Sequence, residues 1–211
     1  MERFATVITG DLIASTQAGQ DAVDGSMAVI EALASHEAQI SGLDIRFARF
    51  RGDGWQLYCP EPARGFRLTV LVLANLHSRP DLPKTRLSVA VGGVSRLPAT
   101  GLASASGNVF WSSGRRLDSM KTQKLDFYSE EKDAHWRYPL FSYLEWQSSR
   151  WSPEQAEAVA LAFRCATPAK SHVAENLGIS RQAALARLNG AGFGPLSDAD
   201  AAFYLKYPGT P

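Results

Sequence analysis

Residues 45–57 carry the pattern that most constrains the fold of this chain. Apolar and polar residues alternate on both sides of Asp53, and Gly52 and Gly54 flank that acid. Alternation with a period of two is typical of β-strands, and glycines beside an aspartate are typical of tight turns. The segment therefore predicts a β-hairpin that holds the Asp53 carboxylate at its tip.

A second acidic residue, Asp11, follows the first apolar run of the chain, residues 4–8. The pattern predicts a strand that gives way to a helix after Asp11. If this strand lies beside the hairpin, the carboxylates of Asp11 and Asp53 converge at one edge of a sheet. Hard oxygen ligands in that arrangement suit Mg²⁺ or Mn²⁺ that is bound partly through the phosphates of a substrate.

Ser15 and Thr16 follow Asp11 in a segment that allows two interpretations. Their hydroxyl groups, with the backbone N–H groups of a turn or helix start, can receive phosphate oxygens. Alternatively, one of them caps the helix that follows. Both interpretations remain open from the sequence.

The rest of residues 1–135 alternates between helical and strand patterns. Apolar spacing predicts further helices over about 21–40, 61–78 and 110–120. It predicts further strands over 86–93 and 125–128. The order is then strand, helix, hairpin, helix, strand, helix, strand. It predicts an α+β, ferredoxin-like fold, an antiparallel sheet with helices on one face.

The C-terminal part of the chain predicts a second domain. Residues 136–151 are rich in aromatic side chains and are interpreted as a connecting segment. A capping box at residues 152–155 then begins a small all-α domain over residues 152–211. Within it, two helices are predicted over about residues 168–177 and 181–189. They are joined by Gly178–Ile179–Ser180, a glycine turn followed by a serine cap, which is the spacing of a helix-turn-helix.

The second helix of this motif carries polar residues that can read base edges or phosphates of DNA. They are Arg181, Gln182, Arg187 and Asn189. Residues 152–211 contain five basic and five acidic residues, so their net attraction for DNA is weak. DNA binding and docking of another protein both remain open.

Composition narrows the class of protein. Because no apolar run approaches the ~20 residues of a membrane helix and the N-terminus lacks the pattern of a secretory signal, we expect a cytoplasmic protein with no membrane partner. Cys59 and Cys165 have no metal-ligand spacing and are expected to be free thiols. The net charge of +1 gives no general attraction to nucleic acid.

Several short motifs resemble, in order and spacing, the core of class III nucleotidyl cyclases. They are Thr9–Thr16, Arg51–Gly52–Asp53, Val89–Gly93, and the stretch from Gly107 to Leu117. Together with the helix-turn-helix residues Ile179–Ala183, they make the whole chain most similar to the SatD family of bacterial proteins.

The resemblance implies a palm-like domain that binds a nucleoside triphosphate. In such a domain Asp11, Asp53 and the Leu12 carbonyl hold two metal ions. Arg49 stands where adenylyl cyclases have a base-selecting lysine. The remaining candidate nucleotide-binding residues are Ser15, Thr16, Arg51 and Lys121.

The resemblance also implies a catalytic helix, and the chain departs from the family there. Cyclases carry an asparagine and an arginine four residues apart on this helix. If Arg116 matches the arginine, the asparagine position falls on Ser112, while Arg115 competes for the arginine position. A serine has one donor where an amide has two. The alternative for Arg115, Arg116, Lys121 and Lys124 is a solvated helix face.

Three functions follow as hypotheses. The first is a nucleotide- and metal-binding regulator whose occupancy changes how the helix-turn-helix engages DNA. The second is an active nucleotidyl cyclase or nucleotidyltransferase that uses two metal ions. Because cyclase sites are usually shared between two chains, this hypothesis also predicts a homodimer. The third is a DNA-binding module in which the palm domain is a dimerisation scaffold. Retained carboxylates beside an altered catalytic helix favour the first.

Overall fold

The structure, a computed structural model, describes residues 3–50, 52–164 and 171–205. The strands are β1 (Arg3–Leu12), β2 (Arg46–Phe50), β3 (Gly54–Cys59), β4 (Thr85–Val94) and β5 (Leu125–Ser129). The helices are α1 (Ser15–Ala18), α2 (Gln20–Ser41), α3 (Gly65–His77), α4 (Asn108–Ser119), α5 (Tyr138–Ser148), α6 (Pro153–Phe163), α7 (Ser171–Leu177), α8 (Arg181–Gly190) and α9 (Phe193–Leu205). Short 3₁₀ turns lie at Pro62–Arg64 and Ala134–Arg137.

The strands form one mixed sheet in the order β2-β3-β1-β4-β5. Strand β1 pairs antiparallel with β3 and β4, and β2 pairs antiparallel with β3. These four strands have the order of a ferredoxin-like arrangement, so the α+β prediction is confirmed. The prediction of a wholly antiparallel sheet is wrong, because β5 pairs parallel with β4. The chain returns to β5 through α4, and a helical crossover of this length gives parallel neighbours.

Helices cover both faces of the sheet. One face packs beneath α2 and α3 through residues such as Ile8, Leu57 and Val89. The other face packs beneath α4, where Val7 and Ala90 belong to a second apolar cluster. The prediction of helices on one face is therefore wrong. Strand β1 is buried without interruption from Ala5 to Gly10, and a strand buried on both faces needs cover on both.

The C-terminal helices share a core with the sheet region. Helix α6 packs on α3, and Phe203 of α9 contacts the ring of Phe66 at a centroid distance of 6.2 Å. Arg67 of α3 forms a buried ion pair with Asp200 of α9, with an N···O distance of 2.8 Å. The division of the chain at residues 136–151 stays a prediction, since these contacts describe packing and not independent folding.

Local signals at the helix ends are confirmed. The capping box joins Ser152 and Gln155 at the start of α6. Gly178, with φ 61°, ends α7, and the Ser180 hydroxyl accepts the Ala183 N–H at the start of α8. The predicted start of α7 at Pro168 lies outside the described residues. Within the described ranges, no helix combines the length and apolar character needed to cross a bilayer.

Candidate functional site

Asp11 lies near the end of β1, where its carboxylate is bound by an arginine on the neighbouring strand. Arg86 of β4 is its partner in the strand register. The guanidinium donates from Nε and Nη2 to the two carboxylate oxygens, each at 2.7 Å. The hydrogen bonds to Asp11 raise the pKa of Arg86. The two side chains are 26% and 34% exposed, so solvent and ligands can reach this pair.

Asp53 lies in the turn between β2 and β3, as predicted, and Gly52 makes that turn with φ 79°. Its carboxylate accepts a hydrogen bond from the Ser15 hydroxyl. Its carbonyl accepts the Leu12 N–H at 3.2 Å. The hairpin is thereby tied to the segment that follows β1.

These contacts argue against the capping interpretation of Ser15 and Thr16, while phosphate binding by their hydroxyl groups stays a prediction. Helix α1 begins after Ala14, and α2 begins after Gly19, in both cases without a side-chain cap. The capping interpretation is therefore wrong, and Ser15 instead binds the Asp53 carboxylate.

Ala14 has a left-handed backbone, with φ 56° and ψ 31°. In the part of the chain that the structure describes, it is the one residue other than glycine with positive φ. A side chain in this region costs roughly 1–2 kcal/mol. Such strain clusters at sites where backbone geometry serves binding. Ala14 lies three residues after Asp11 and directly precedes Ser15, whose hydroxyl group binds Asp53.

The two carboxylates line adjacent cavities. Asp53, Ser15 and Thr16 line an open cavity of about 320 Å³. Asp11 lines a second cavity of about 340 Å³ with Arg86, Lys121 and Lys124. The walls of the two cavities meet at consecutive residues, Ala14 and Ser15. The strand register places Asp11 opposite Gly54, so the two acids are neighbours in the backbone although their side chains enter separate cavities.

The donor atoms present are of the kinds that bind a magnesium-like ion when a phosphate group is also bound. No cluster of three His, Cys, Asp or Glu side chains suited to a metal occurs among residues 3–50, 52–164 and 171–205. Mg²⁺ is commonly held by one or two carboxylates together with substrate phosphates, so Asp11, Asp53 and the Leu12 carbonyl supply donors of the right type. An ion shared by both acids requires their carboxylates to turn toward each other from the separate cavities. Arg86 occupies one lone pair on each Asp11 oxygen and competes with the cation for this carboxylate.

The other candidate nucleotide-binding residues are divided in their placement. Arg49 donates to the Asp24 carboxylate and the Gly52 carbonyl, each at 2.6 Å, so it ties the hairpin to α2. This contact lowers the pKa of Asp24. Lys121 is exposed on the wall of the Asp11 cavity. Arg51 lies outside the described residues.

The candidate catalytic residues on α4 lie outside both cavities. Ser112 is 4% exposed, and its hydroxyl donates to the Asn108 side chain at 3.3 Å. Arg116 pairs with Asp126 at 2.7 Å. Arg115 lies over the ring of Trp111, 4.9 Å from its centroid. The solvated-face alternative describes Arg115 best, and the catalytic roles stay predictions.

The candidate DNA-binding residues occupy α8. Arg181, Gln182 and Asn189 are exposed, while Arg187 is half-buried and pairs with Glu157 of α6 at 3.3 Å. Arg187 therefore also holds α8 to α6. Cys59 is a buried free thiol, as predicted, and burial raises its pKa to about 12. Cys165 lies outside the described residues.

Sequence reasoning missed Arg86, the residue that binds Asp11. The available signal was a basic residue at the start of an otherwise apolar strand, residues 86–93. That signal identifies an arginine but not its partner, because the pairing depends on the register between β1 and β4.

No family model matches the chain, and comparison with curated proteins gives no match. The similarity to the SatD family therefore stays a prediction. Among solved structures, the fold is similar to the guanylyl cyclase Cya2, with 14% sequence identity and a TM-score of 0.42. The likeness covers 59% of this chain and 74% of that chain. A likeness this weak is no evidence of a shared activity.

Proposed function

We propose that this chain is a regulatory protein that binds a nucleotide and a divalent cation at the end of β1. The observation that carries the proposal is the meeting of two cavities at the consecutive residues Ala14 and Ser15. One cavity contains the Asp53 carboxylate, and the other contains Asp11 and three basic side chains. Carboxylates suit the cation, and basic side chains suit phosphate oxygens.

Arg86 links the binding of the cation to the binding of phosphate. In the absence of ligand, the Asp11 carboxylate neutralises the Arg86 guanidinium. A cation on Asp11 replaces that interaction and leaves the guanidinium to bind phosphate, for which its planar fork is well matched. Cation and phosphate therefore favour each other's binding. Lys121 and Lys124, both exposed on the same cavity wall, add to the attraction for phosphate.

The regulatory half of the proposal concerns α6–α9. Helices α7 and α8 form the candidate helix-turn-helix, in which Arg181, Gln182 and Asn189 are exposed to a DNA ligand. The buried Arg67–Asp200 pair and the contact of Phe203 with Phe66 join these helices to α3. Occupancy at the sheet edge is proposed to alter DNA binding through this shared core.

Calorimetry with each nucleoside triphosphate and Mg²⁺ tests the nucleotide site. We expect binding of at least one triphosphate and a loss of about tenfold or more in Asp53→Asn, which removes the charge but keeps an acceptor for Ser15. Asp21→Asn is the matched control, because Asp21 is an exposed acid in the first turn of α2 that does not line the cavity. Absence of binding, or equal loss in both variants, contradicts the proposal.

A further inference from the structure

A third cavity, of about 430 Å³, lies between α3, α5 and the starts of β4 and β5. This volume falls in the range of small-molecule sites, which are roughly 300–1,000 Å³. Its apolar wall comprises Ile13, Leu73, Leu125 and Trp146. Two of its lining residues, Ile13 and Lys124, also line the Asp11 cavity, so the two cavities adjoin.

The charged groups of this cavity favour an anionic ligand. Lys84, Lys124 and Arg150 line it, against one carboxylate, that of Glu145. Glu145 accepts the backbone N–H of Lys124 at 2.7 Å, which fixes the carboxylate at the junction with the Asp11 cavity. Of these cations, Lys124 lies at the junction, where a phosphate ester would pass from one cavity to the other.

His77 supplies a neutral acceptor. Burial, with the nearby Lys84, lowers its pKa to about 4, so the imidazole is neutral at pH 7. Nδ1 lies 2.9 Å from the Ser148 carbonyl, which can only accept, so Nδ1 carries the proton. Nε2 is then a hydrogen-bond acceptor. A neutral acceptor beside an apolar wall suits the N–H groups of a heteroaromatic ring.

The outer wall is planar and cationic. Trp146 is 52% exposed, and the guanidinium of Arg150 lies 4.1 Å from its ring centroid. Aromatic and guanidinium planes are the usual surfaces against which proteins pack nucleobases. The cavity thus combines an apolar floor, a planar rim and a neutral acceptor.

We propose that this cavity holds the base of a nucleotide whose phosphates lie in the Asp11 cavity, an inference that rests on the proposed function. Lys124 lies at the junction of the two cavities and contacts the phosphate nearest the ribose. The wall residues Leu73, Leu125 and Trp146 contact the ring, and His77 Nε2 and Glu145 accept its N–H groups.

Calorimetry of the full chain in Mg²⁺, with inorganic tripolyphosphate beside the four nucleoside triphosphates, tests this assignment. At least one nucleoside triphosphate should bind about tenfold more tightly than tripolyphosphate, which has no base. Trp146→Ala should remove that gain and leave the affinity for tripolyphosphate unchanged. Ser142→Phe, which fills the exposed rim, should do the same. Tyr204→Ala is the control, because Tyr204 is a similarly exposed aromatic residue outside the cavity.

The outcomes separate this inference from the proposed function. If tripolyphosphate binds as tightly as every nucleoside triphosphate, the base site is overturned while the phosphate site stands. If a nucleoside triphosphate binds more tightly but neither Trp146→Ala nor Ser142→Phe reduces its affinity, the base lies elsewhere and the inference is overturned. If none of the five probes binds, both proposals are overturned.

Discussion

Arg86 and Asp11 lie opposite each other on neighbouring strands and form a bidentate ion pair, with both N···O distances at 2.7 Å. The pair is partly exposed and lines a cavity that also contains Lys121 and Lys124. A ligand that supplies both a cation and an anion can replace both halves of the pair. The Arg86–Asp11 pair is therefore neutral without ligand, and the cavity around it is suited to a metal–phosphate complex.

Removing the arginine should strengthen the binding of a cation alone. In Arg86→Gln the Asp11 carboxylate no longer has a positive partner, and we expect Mn²⁺ affinity to rise about fivefold, which corresponds to the ~1 kcal/mol of a partly exposed ion pair. Electron paramagnetic resonance of free Mn²⁺ measures this affinity. Arg49→Gln serves as the control, since Arg49 pairs with Asp24 instead. Unchanged or weaker Mn²⁺ binding in Arg86→Gln argues against a cation on Asp11.

The buried pair between α3 and α9 should contribute strongly to stability. Arg67 and Asp200 have side chains only 10% and 8% exposed. In Asp200→Ala a buried guanidinium loses this carboxylate, and we expect the free energy of unfolding to fall by about 3 kcal/mol. Urea titration measures the loss. Asp198→Ala, at an exposed acid on the same helix, should change it by less than about 0.5 kcal/mol. An equal loss in the free energy of unfolding in the two variants would contradict this prediction.

His77 should make the fold sensitive to acid. The pKa of His77 is about 4 in the folded chain, whereas an ordinary histidine, as in the unfolded chain, has a pKa of 6.5. The unfolded chain therefore binds this proton first as the pH falls. The free energy of unfolding should therefore decrease between pH 6.5 and 4, by up to about 3 kcal/mol from this group. Urea titrations across this range measure the slope.

A substitution isolates the contribution of His77 from that of the carboxyl groups. His77→Gln keeps a donor for the Ser148 carbonyl but does not titrate, so the decrease should become shallower. His172→Gln, at an exposed histidine, should show the same dependence of the free energy of unfolding on pH as the parent chain. A slope in His77→Gln identical to that of the parent would show that burial does not perturb this imidazole.

Local patterns predicted most elements of the fold. The alternation around Asp53 predicted the hairpin, and Ser152 and Gln155 predicted the start of α6, because turn and cap preferences depend on neighbouring residues only. The cover on both faces of the sheet was missed. It depends on α4 folding back over β1 and β4, a long-range packing arrangement that apolar spacing within α4 does not specify.

The candidate site was predictable in part for the same reason. The sequence predicted Asp53 in its turn and Asp11 near the end of its strand, both positions that local pattern specifies. The Arg86–Asp11 pair depends on strand register, and the Ser15–Asp53 contact depends on the left-handed turn at Ala14. Alanine gives no sequence signal for that conformation, which glycine would have indicated.

The most direct test is a crystal structure of the chain with Mn²⁺ and a non-hydrolysable nucleoside triphosphate, with the metal located by its anomalous scattering. We expect Mn²⁺ on oxygens of Asp11 and Asp53 and on the triphosphate, with Arg86 turned from Asp11 to a phosphate. Mn²⁺ and triphosphate bound away from the end of β1, or an Arg86–Asp11 pair that stays intact beside a bound triphosphate, would contradict it.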